Sequence, residues 1–186
     1  FEYIQENNLI LLGHQGEPRN CWLPLEKMTV NSDRDYFKEH PEYHMFLKEK
    51  HPSYEDHMRA RDQMLDKFPD ITYVGLHLFS MEWSIDEVAY RLDRYPKTLT
   101  DVAGRVSHLQ IQAKVNWKGI RDFFIKYQDR IIYGTDVIDD GIIPAEEIAA
   151  RFEHLWNFHY DFFATRKTLS TPEFQGEFVG LNLPKS

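Results

Sequence analysis

The sequence contains a single cysteine, Cys21, in 186 residues. One thiol excludes a disulfide within the chain and a zinc site built from several thiolates. Basic residues are also few: 22 Lys and Arg stand against 30 Asp and Glu, which gives a formal net charge of −8. Because broad nucleic-acid binding surfaces depend on clustered Lys and Arg, this balance argues against a nucleic-acid partner. The lone cysteine suits a reducing compartment, so we expect a cytoplasmic protein.

Long apolar runs are absent as well. No stretch approaches the roughly 18 apolar residues of a membrane span, and we expect no membrane partner. No signal peptide is recognised, although a leader upstream of Phe1 stays open because the chain does not begin with Met. What the chain has in quantity is hydrophobic residues (42%) and aromatic residues (15%). This composition predicts one folded domain, residues 1–186, with an aromatic-rich core.

Four short apolar runs are typical of strands that are buried on both faces of a parallel sheet. They cover residues 9–13, 71–76, 98–102 and 131–135. Helical patterns fill the gaps between and after them, over residues 53–67, 84–94, 116–128 and 144–157. Ser53 and Ser84 are suited to be N-caps, and Pro144 suits a first helical position. The alternation of strand and helix predicts an α/β fold with crossover helices.

From the second strand onward, the strands recur at about 27 to 33 residues, the size of one unit of a (β/α)8 barrel. Four such units make part of a barrel, and a free-standing doubly wound sheet stays open as the alternative. No glycine-rich phosphate-binding turn follows the first strand, so the usual nucleotide ligands of doubly wound sheets lack support. The first interval is about twice as long. We interpret its excess, residues 15–52 with a helical piece near 35–50, as an insertion that shapes the substrate pocket.

Three residues with metal-ligand chemistry follow predicted strands directly. His14 follows the first strand, His77 the second and Asp136 the fourth. The carboxyl ends of barrel strands meet at one mouth, so these side chains are expected to converge there. Two imidazoles and a carboxylate suit Zn²⁺, Mn²⁺ or Fe²⁺, and a metal-activated water is then available for hydrolysis.

Other polar residues are weaker candidates. Arg19, Trp22 and Arg105 are candidates for substrate contact, the arginines through a bidentate bond to a carboxylate, with salt-bridge or capping roles as the favoured alternative for both arginines. His40 and His44 have the spacing of a helical zinc site, but the intervening Pro41 favours an exposed helix start. The remaining histidines are interpreted as surface or packing residues, and these include His51, His57, His108, His154 and His159.

Local sequences resemble the amidohydrolase-2 branch of the amidohydrolase superfamily. LLGHQGEPRNCWLP is similar to that branch's fifth-strand motif, and HPEYHMFLKEKHPSYEDHMRARDQMLDKFPDITYVGLHL to its following arm, helix and sixth strand. TLTDVAGRV is similar to the seventh strand, and RIIYGTD to the eighth. The resemblance runs from about Leu9 to Asp136 and implies the C-terminal half of a TIM barrel, strands five to eight.

The resemblance also implies residue roles. His14 is expected to bind the metal, Asp136 to bind it or to move the proton of its water, and His77 to act as acid or base or to bind a second metal. The His-x-His pair that the family carries on its first strand has no counterpart before His14. Within this chain, at most three protein groups would hold the metal, unless an upstream half exists.

The expected function is therefore a metal-dependent hydrolase of a small amide, lactone or ester, with zinc as the first choice of cofactor. A non-oxidative decarboxylase of an aromatic or unsaturated acid uses the same scaffold and stays open. So does a non-catalytic α/β binding domain, in which the three residues only form hydrogen bonds. We expect a small-molecule substrate and leave a homodimer open.

Overall fold

A four-stranded parallel sheet forms the centre of the molecule. The computed structural model describes residues 1–185. Its sheet contains β1 (Ile10–Gly13), β2 (Thr72–Gly75), β3 (Thr98–Asp101) and β4 (Ile131–Ile132), in the order β1-β2-β3-β4. All three strand pairs are parallel. The predicted α/β class and parallel sheet are therefore confirmed.

Helices connect and flank the strands. Within the described residues they are α1 (Glu2–Glu6), α2 (Asn31–Glu39), α3 (Tyr54–Lys67), the single turn α4 (Leu76–Phe79), α5 (Ile85–Arg94), α6 (Val106–Lys126) and α7 (Ala145–Ala164). Short 3-10 turns lie at Arg19–Trp22, Leu25–Lys27, Met45–Leu47 and Gln128–Arg130. A small antiparallel pair, β5 (Thr168–Leu169) and β6 (Phe178–Val179), follows α7. No helix among residues 1–185 combines the length and the apolar character that a bilayer crossing requires.

The helix starts follow the capping chemistry of the sequence. The Ser53 side chain accepts the backbone N–H of Asp56, and the Asp56 carboxylate accepts the backbone N–H of Ser53 in return. This capping box satisfies two of the amide groups that an α-helix leaves unpaired at its start. Ser84 caps α5 through a single bond, in which its side chain accepts the Glu87 N–H. Both predicted N-caps are confirmed.

Three predicted helix boundaries are wrong. The third long helix begins at Val106 rather than at residue 116, and it bends at Asn116, where φ is −135° and ψ is 64°. The fourth runs to Ala164 rather than to residue 157. The helical piece expected near residues 35–50 is instead α2, Asn31–Glu39, followed by irregular chain and a 3-10 turn.

The main core lies between the sheet and its helices. Tyr73 of β2, Leu92 of α5, and Leu109 and Ile120 of α6 are each at most 1% exposed. Burial of such side chains contributes about 1.5 to 3 kcal/mol each to folding. Along the register, Gly13 aligns with Gly75, Gly75 with Thr100 and Thr100 with Ile131, so the carboxyl ends of all four strands lie at one edge. This edge is where the candidate residues of the sequence are found.

Residues 15–52 form a separate small packing cluster. Cys21, Met28 and Phe37 are buried together, with Trp22 and Leu23 packed against them. The Asn31 side chain donates to the Pro172 carbonyl, so this segment is also tied to the chain that follows α7. Its role in shaping a substrate pocket stays a prediction, as does the single-domain division of residues 1–186.

Candidate functional site

Two histidine rings meet at the carboxyl ends of adjacent strands. His14 follows β1 directly, and His77 lies two residues after β2. Their ring centroids are 5.0 Å apart and the ring planes are nearly perpendicular, at 86°. His14 is exposed, whereas the His77 side chain keeps 12% of its surface exposed. The parallel register of β1 and β2 therefore brings together two of the three predicted ligands.

The backbone that carries His77 adopts a left-handed turn. Four successive residues, His77 to Ser80, have φ between 55° and 58°, and none of them is glycine. Left-handed conformation costs roughly 1 to 2 kcal/mol for each such residue, so the surrounding contacts must hold it. Ser80 Oγ donates to the Gly16 carbonyl at 2.6 Å. A Cβ at Gly75 would lie 2.1 Å from the Phe79 ring, so the turn requires glycine there.

Asp101, at the end of β3, fixes the orientation of His77. Its Oδ1 accepts the backbone N–H groups of His77 and Ala103, both at 3.0 Å, and lies 4.0 Å from His77 Nδ1. His77 Nδ1 lies 2.8 Å from the Ala103 carbonyl oxygen, which can only accept a hydrogen bond. Nδ1 therefore carries the proton, and in the neutral ring the Nε2 lone pair stays free for a metal or a substrate.

Asp136 lies in the loop after β4, beside the segment that holds His77. It has a φ of +63°, in the left-handed region. Its carboxylate packs on Gly104, where a Cβ would lie only 2.8 Å from Oδ2 and where φ is +62°. Gly104 follows Ala103, the residue whose carbonyl holds His77. Even so, no group of three or more His, Cys, Asp or Glu side chains in residues 1–185 is arranged to hold a metal ion.

The three predicted substrate contacts lie in different surroundings. The Arg19 guanidinium stacks on the Trp83 ring at 4.2 Å and lines a cleft of about 530 Å³ between α3 and α5. Trp22 donates to the Pro52 carbonyl and packs edge-on against Tyr54. Neither makes a hydrogen bond or ring contact with His14 or His77 in the part of the chain described here. Their substrate role stays a prediction.

Arg105 belongs to a buried polar cluster that sequence reasoning missed. Its Nη1 donates to the Gly104 carbonyl, while its Nε is buried without a partner. Glu82 is 1% exposed: Oε1 accepts the Arg19 N–H at 2.8 Å, and Oε2 has no partner in residues 1–185. Burial raises the pKa of Glu82, against the charges of His108 and Arg105, which lower it.

His108 and Asp33 complete this cluster. His108 is 2% exposed, and its Nε2 lies 3.2 Å from Asp33 Oδ2, which also accepts the Asn20 amide at 2.8 Å. Burial works to raise the pKa of Asp33, but the hydrogen bond and charge of His108 outweigh it, so the pKa lies below its ordinary value. The prediction of a surface or packing role for His108 missed this contact with Asp33, because Asp33 lies far away in the sequence on α2.

Two other histidines are buried by the fold. His44 is 3% exposed and its Nε2 lies 2.8 Å from the Leu23 carbonyl, so the expected exposed helix start is wrong. His159 is 7% exposed and its Nδ1 lies 3.0 Å from the Tyr133 hydroxyl. Burial lowers the pKa of His159 to about 4. Neither of these rings contacts the His14–His77 pair.

Comparison with known proteins adds no relative. No family model matches the chain, and neither a curated protein nor a solved structure matches it. The resemblance to the amidohydrolase-2 branch therefore stays a prediction that depends on the motifs of the sequence.

Proposed function

We propose that this chain contributes strands five to eight of a (β/α)8 barrel with metal-dependent hydrolase activity of the amidohydrolase type. The observation that carries the proposal is the contact between His14 and His77 at the carboxyl ends of two adjacent parallel strands. Catalytic residues of such barrels lie at this face. The substrate class is a small amide, lactone or ester.

The topology supports the barrel part of the proposal. Strands that are neighbours in sequence are neighbours in the sheet, and all are parallel. In a doubly wound sheet the strand order reverses at a switch point, and none occurs among these four strands. The outer side of β1 and the outer side of β4 have no strand partner in residues 1–185.

The donor types suit a divalent cation, although no three of them are in place to hold one within residues 1–185. His77 offers the Nε2 lone pair because its Nδ1 proton is held by the Ala103 carbonyl, the arrangement that metal-binding histidines commonly use. His14 is exposed beside it, and Asp136 offers a carboxylate from the neighbouring loop. A cation held by these groups would supply Lewis acidity and a water of lowered pKa.

The residues of the chain then have distinct roles in the proposal. His14 and His77 would hold the cation, and Asp136 would accept the proton of the attacking water and pass it to the leaving group. Asp101 acts through His77, because it holds both the His77 and the Ala103 backbone. Decarboxylation would favour an arginine that receives the substrate carboxylate. The Arg19 guanidinium is stacked on Trp83 and Arg105 Nη1 donates to a backbone carbonyl, so hydrolysis is the preferred reaction.

Metal content tests the proposal without a known substrate. Purified chain is loaded with zinc, passed over a desalting column and analysed by mass spectrometry for metals. About one zinc ion per chain is expected. His14→Ala and His77→Ala should each lower the bound fraction at least about tenfold, as loss of a ligand does. His154→Ala is the matched control, because His154 is an exposed histidine of α7.

Two outcomes of the zinc measurement would contradict the proposal. A folded protein without bound zinc, or zinc that is retained by His14→Ala and lost by His154→Ala, would favour a non-catalytic α/β domain. Circular dichroism of each variant excludes unfolding as the cause of a lost ion.

A further inference from the structure

Two backbone carbonyls of the left-handed turn from His77 to Ser80 receive their hydrogen bonds from outside the turn. The His77 carbonyl accepts the Ser80 N–H at 3.0 Å. The Leu78 carbonyl accepts the Met81 N–H at 2.9 Å. The carbonyls of Phe79 and Ser80 instead accept side-chain donors. Both residues are 1% exposed, and a buried carbonyl without a donor destabilises the conformation that buries it, so the end of the turn requires those side chains.

Both donors belong to α3. Tyr54 Oη donates to the Ser80 carbonyl at 2.6 Å, and Arg61 Nη1 donates to the Phe79 carbonyl. Tyr54 is 3% exposed and Arg61 is 2% exposed. Positions i and i+7 of a helix lie on one face, so these two side chains leave α3 on the same side. One face of α3 therefore holds the end of the turn that begins with His77.

Stability alone does not account for the buried Arg61. Its Nε and Nη2 donate to the Asp62 carboxylate at 3.1 and 2.8 Å. Apolar side chains of similar volume often stabilise a core as well as a buried ion pair does, or better. An apolar side chain could not supply the bond from Nη1 to the Phe79 carbonyl. The contact that distinguishes Arg61 from an apolar core residue is therefore the one with the turn.

The Tyr54 hydroxyl is held by contacts on both sides. Trp83 Nε1 donates to it at 2.8 Å, so its own proton is directed to its acceptor, the Ser80 carbonyl. The preceding residue, Ser53, forms the capping box that fixes the start of α3. Removal of the Tyr54 oxygen alone would leave the Ser80 carbonyl without this donor.

We propose that Tyr54 and Arg61 are positioning residues for His77. The inference rests on the proposed function, because His77 is one of its ligands. Asp101 holds the first residue of the turn through the His77 N–H, and α3 holds the last two residues. Non-glycine residues favour the right-handed region. A turn that loses its α3 donors therefore relaxes toward that region and moves the His77 ring away from the Ala103 carbonyl.

Nitrogen-15 NMR of the histidine rings tests the inference on the whole, metal-free chain at about pH 8, above the ordinary histidine pKa. The His77 signals are assigned by their loss in His77→Gln. In the unaltered chain they should show the proton on Nδ1 alone, because Nδ1 faces the Ala103 carbonyl. Tyr54→Phe keeps the ring and removes one oxygen. It should give a mixture of both His77 tautomers and weaken zinc binding about tenfold, and Arg61→Met should act in the same direction.

Tyr95→Phe is the matched control. Tyr95 is 7% exposed, and its hydroxyl donates to the Asp66 carboxylate of α3 at 2.9 Å. The substitution removes the same atom from another buried tyrosine that bonds the same helix, but it leaves both bonds to the turn in place. It should lower stability without changing the His77 tautomer or the affinity for zinc. Circular dichroism confirms that each variant is folded.

An unchanged His77 tautomer in folded Tyr54→Phe would overturn the inference. An equal change in Tyr95→Phe would also overturn it, because it would indicate a general loosening of α3. Zinc analysis of the same samples separates the two proposals. A chain that binds no zinc, but whose His77 tautomer depends on Tyr54, contradicts the hydrolase and keeps the positioning role. Bound zinc with a His77 tautomer that does not respond to Tyr54→Phe does the reverse.

Discussion

The histidines at the edge of the sheet and those in the interior differ in what their ring nitrogens contact. Nε2 of His108 lies 3.2 Å from Asp33, and Nδ1 of His159 lies 3.0 Å from the Tyr133 hydroxyl. At the edge, the His14 ring has no hydrogen bond within the described residues, and His77 uses only Nδ1, toward the Ala103 carbonyl. A histidine that is already partnered stabilises the fold, whereas one with a free lone pair is available for ligand chemistry.

Backbone conformation separates the two regions in the same way. His108 lies in the regular helix α6, and His159 in α7. His77 lies in a left-handed turn at φ 55°, and Asp136 has a φ of 63°. Residues with strained backbone conformations of this kind concentrate at functional sites, where surrounding contacts hold them in place. The comparison predicts that interior substitutions change stability, and that edge substitutions change metal binding.

Removal of the Asp33 carboxylate should have the largest effect on stability. Asp33→Ala leaves His108 buried without its acidic partner, and the Asn20 amide without that acceptor. The free energy of unfolding should fall by about 3 kcal/mol, because two buried hydrogen-bond donors lose their acceptor and each such loss costs about 1 to 3 kcal/mol. Urea denaturation at pH 7 measures this value. Asp35→Ala, an exposed carboxylate on the same helix, should change it by less than about 0.5 kcal/mol.

Equal stability losses in the two aspartate variants would remove the distinction between a buried pair and a surface charge. Because the pKa of Asp33 is depressed in the folded state, its contribution is present above the ordinary carboxyl pKa. The contribution should fade as the pH falls through the folded-state value.

The next effect in size is the pH dependence that His159 contributes. Its folded-state pKa of about 4 lies below the ordinary histidine value of 6.5, so the unfolded chain binds the proton first. Stability should be complete above pH 6.5 and fall by about 2 kcal/mol as the pH drops toward 4. Denaturant midpoints at pH 7, 5.5 and 4.5 measure the loss. In His159→Gln, this part of the pH dependence of the denaturant midpoint should disappear. A midpoint that changes with pH as in the unaltered chain would assign the dependence to other groups.

Sequence reasoning predicted the sheet and several helix starts because their determinants are local. Apolar runs located the strands, and Ser53 and Ser84 located two helix starts. The beginning of α6 was missed because the bend at Asn116 interrupts the apolar period, and because His108 and Gln110 place polar side chains on its buried face. A pattern read from the sequence does not distinguish a buried polar residue with a distant partner from an exposed one.

Some features of the candidate site were likewise predicted from the sequence, and others were not. His14 and His77 were predicted to converge because the carboxyl ends of parallel strands share one edge, and the structure brings their rings into contact. The left-handed turn from His77 to Ser80 was not predicted, since no glycine marks it. Contacts from other segments, such as the Gly16 carbonyl, hold that turn in place.

Substitution of His14 should have the smallest effect on the metal-free protein. Because the ring is exposed and has no hydrogen bond in residues 1–185, His14→Ala should change the free energy of unfolding by less than about 0.5 kcal/mol. Added zinc should raise the melting temperature of the unaltered chain and not that of the variant, since a ligand stabilises only the state that binds it. Thermal unfolding with and without zinc measures both effects. An equal zinc effect in the two proteins would exclude His14 as a ligand.

Anomalous diffraction at the zinc absorption edge, from crystals of the chain grown with zinc, tests the central claim most directly. The account predicts a peak at roughly 2.0 to 2.1 Å from His77 Nε2 and from one His14 ring nitrogen, the usual zinc–imidazole distance. The His77 Nδ1 proton should still point to the Ala103 carbonyl. A peak at His108 or His159, or well-ordered His14 and His77 rings with no peak between them, would contradict it.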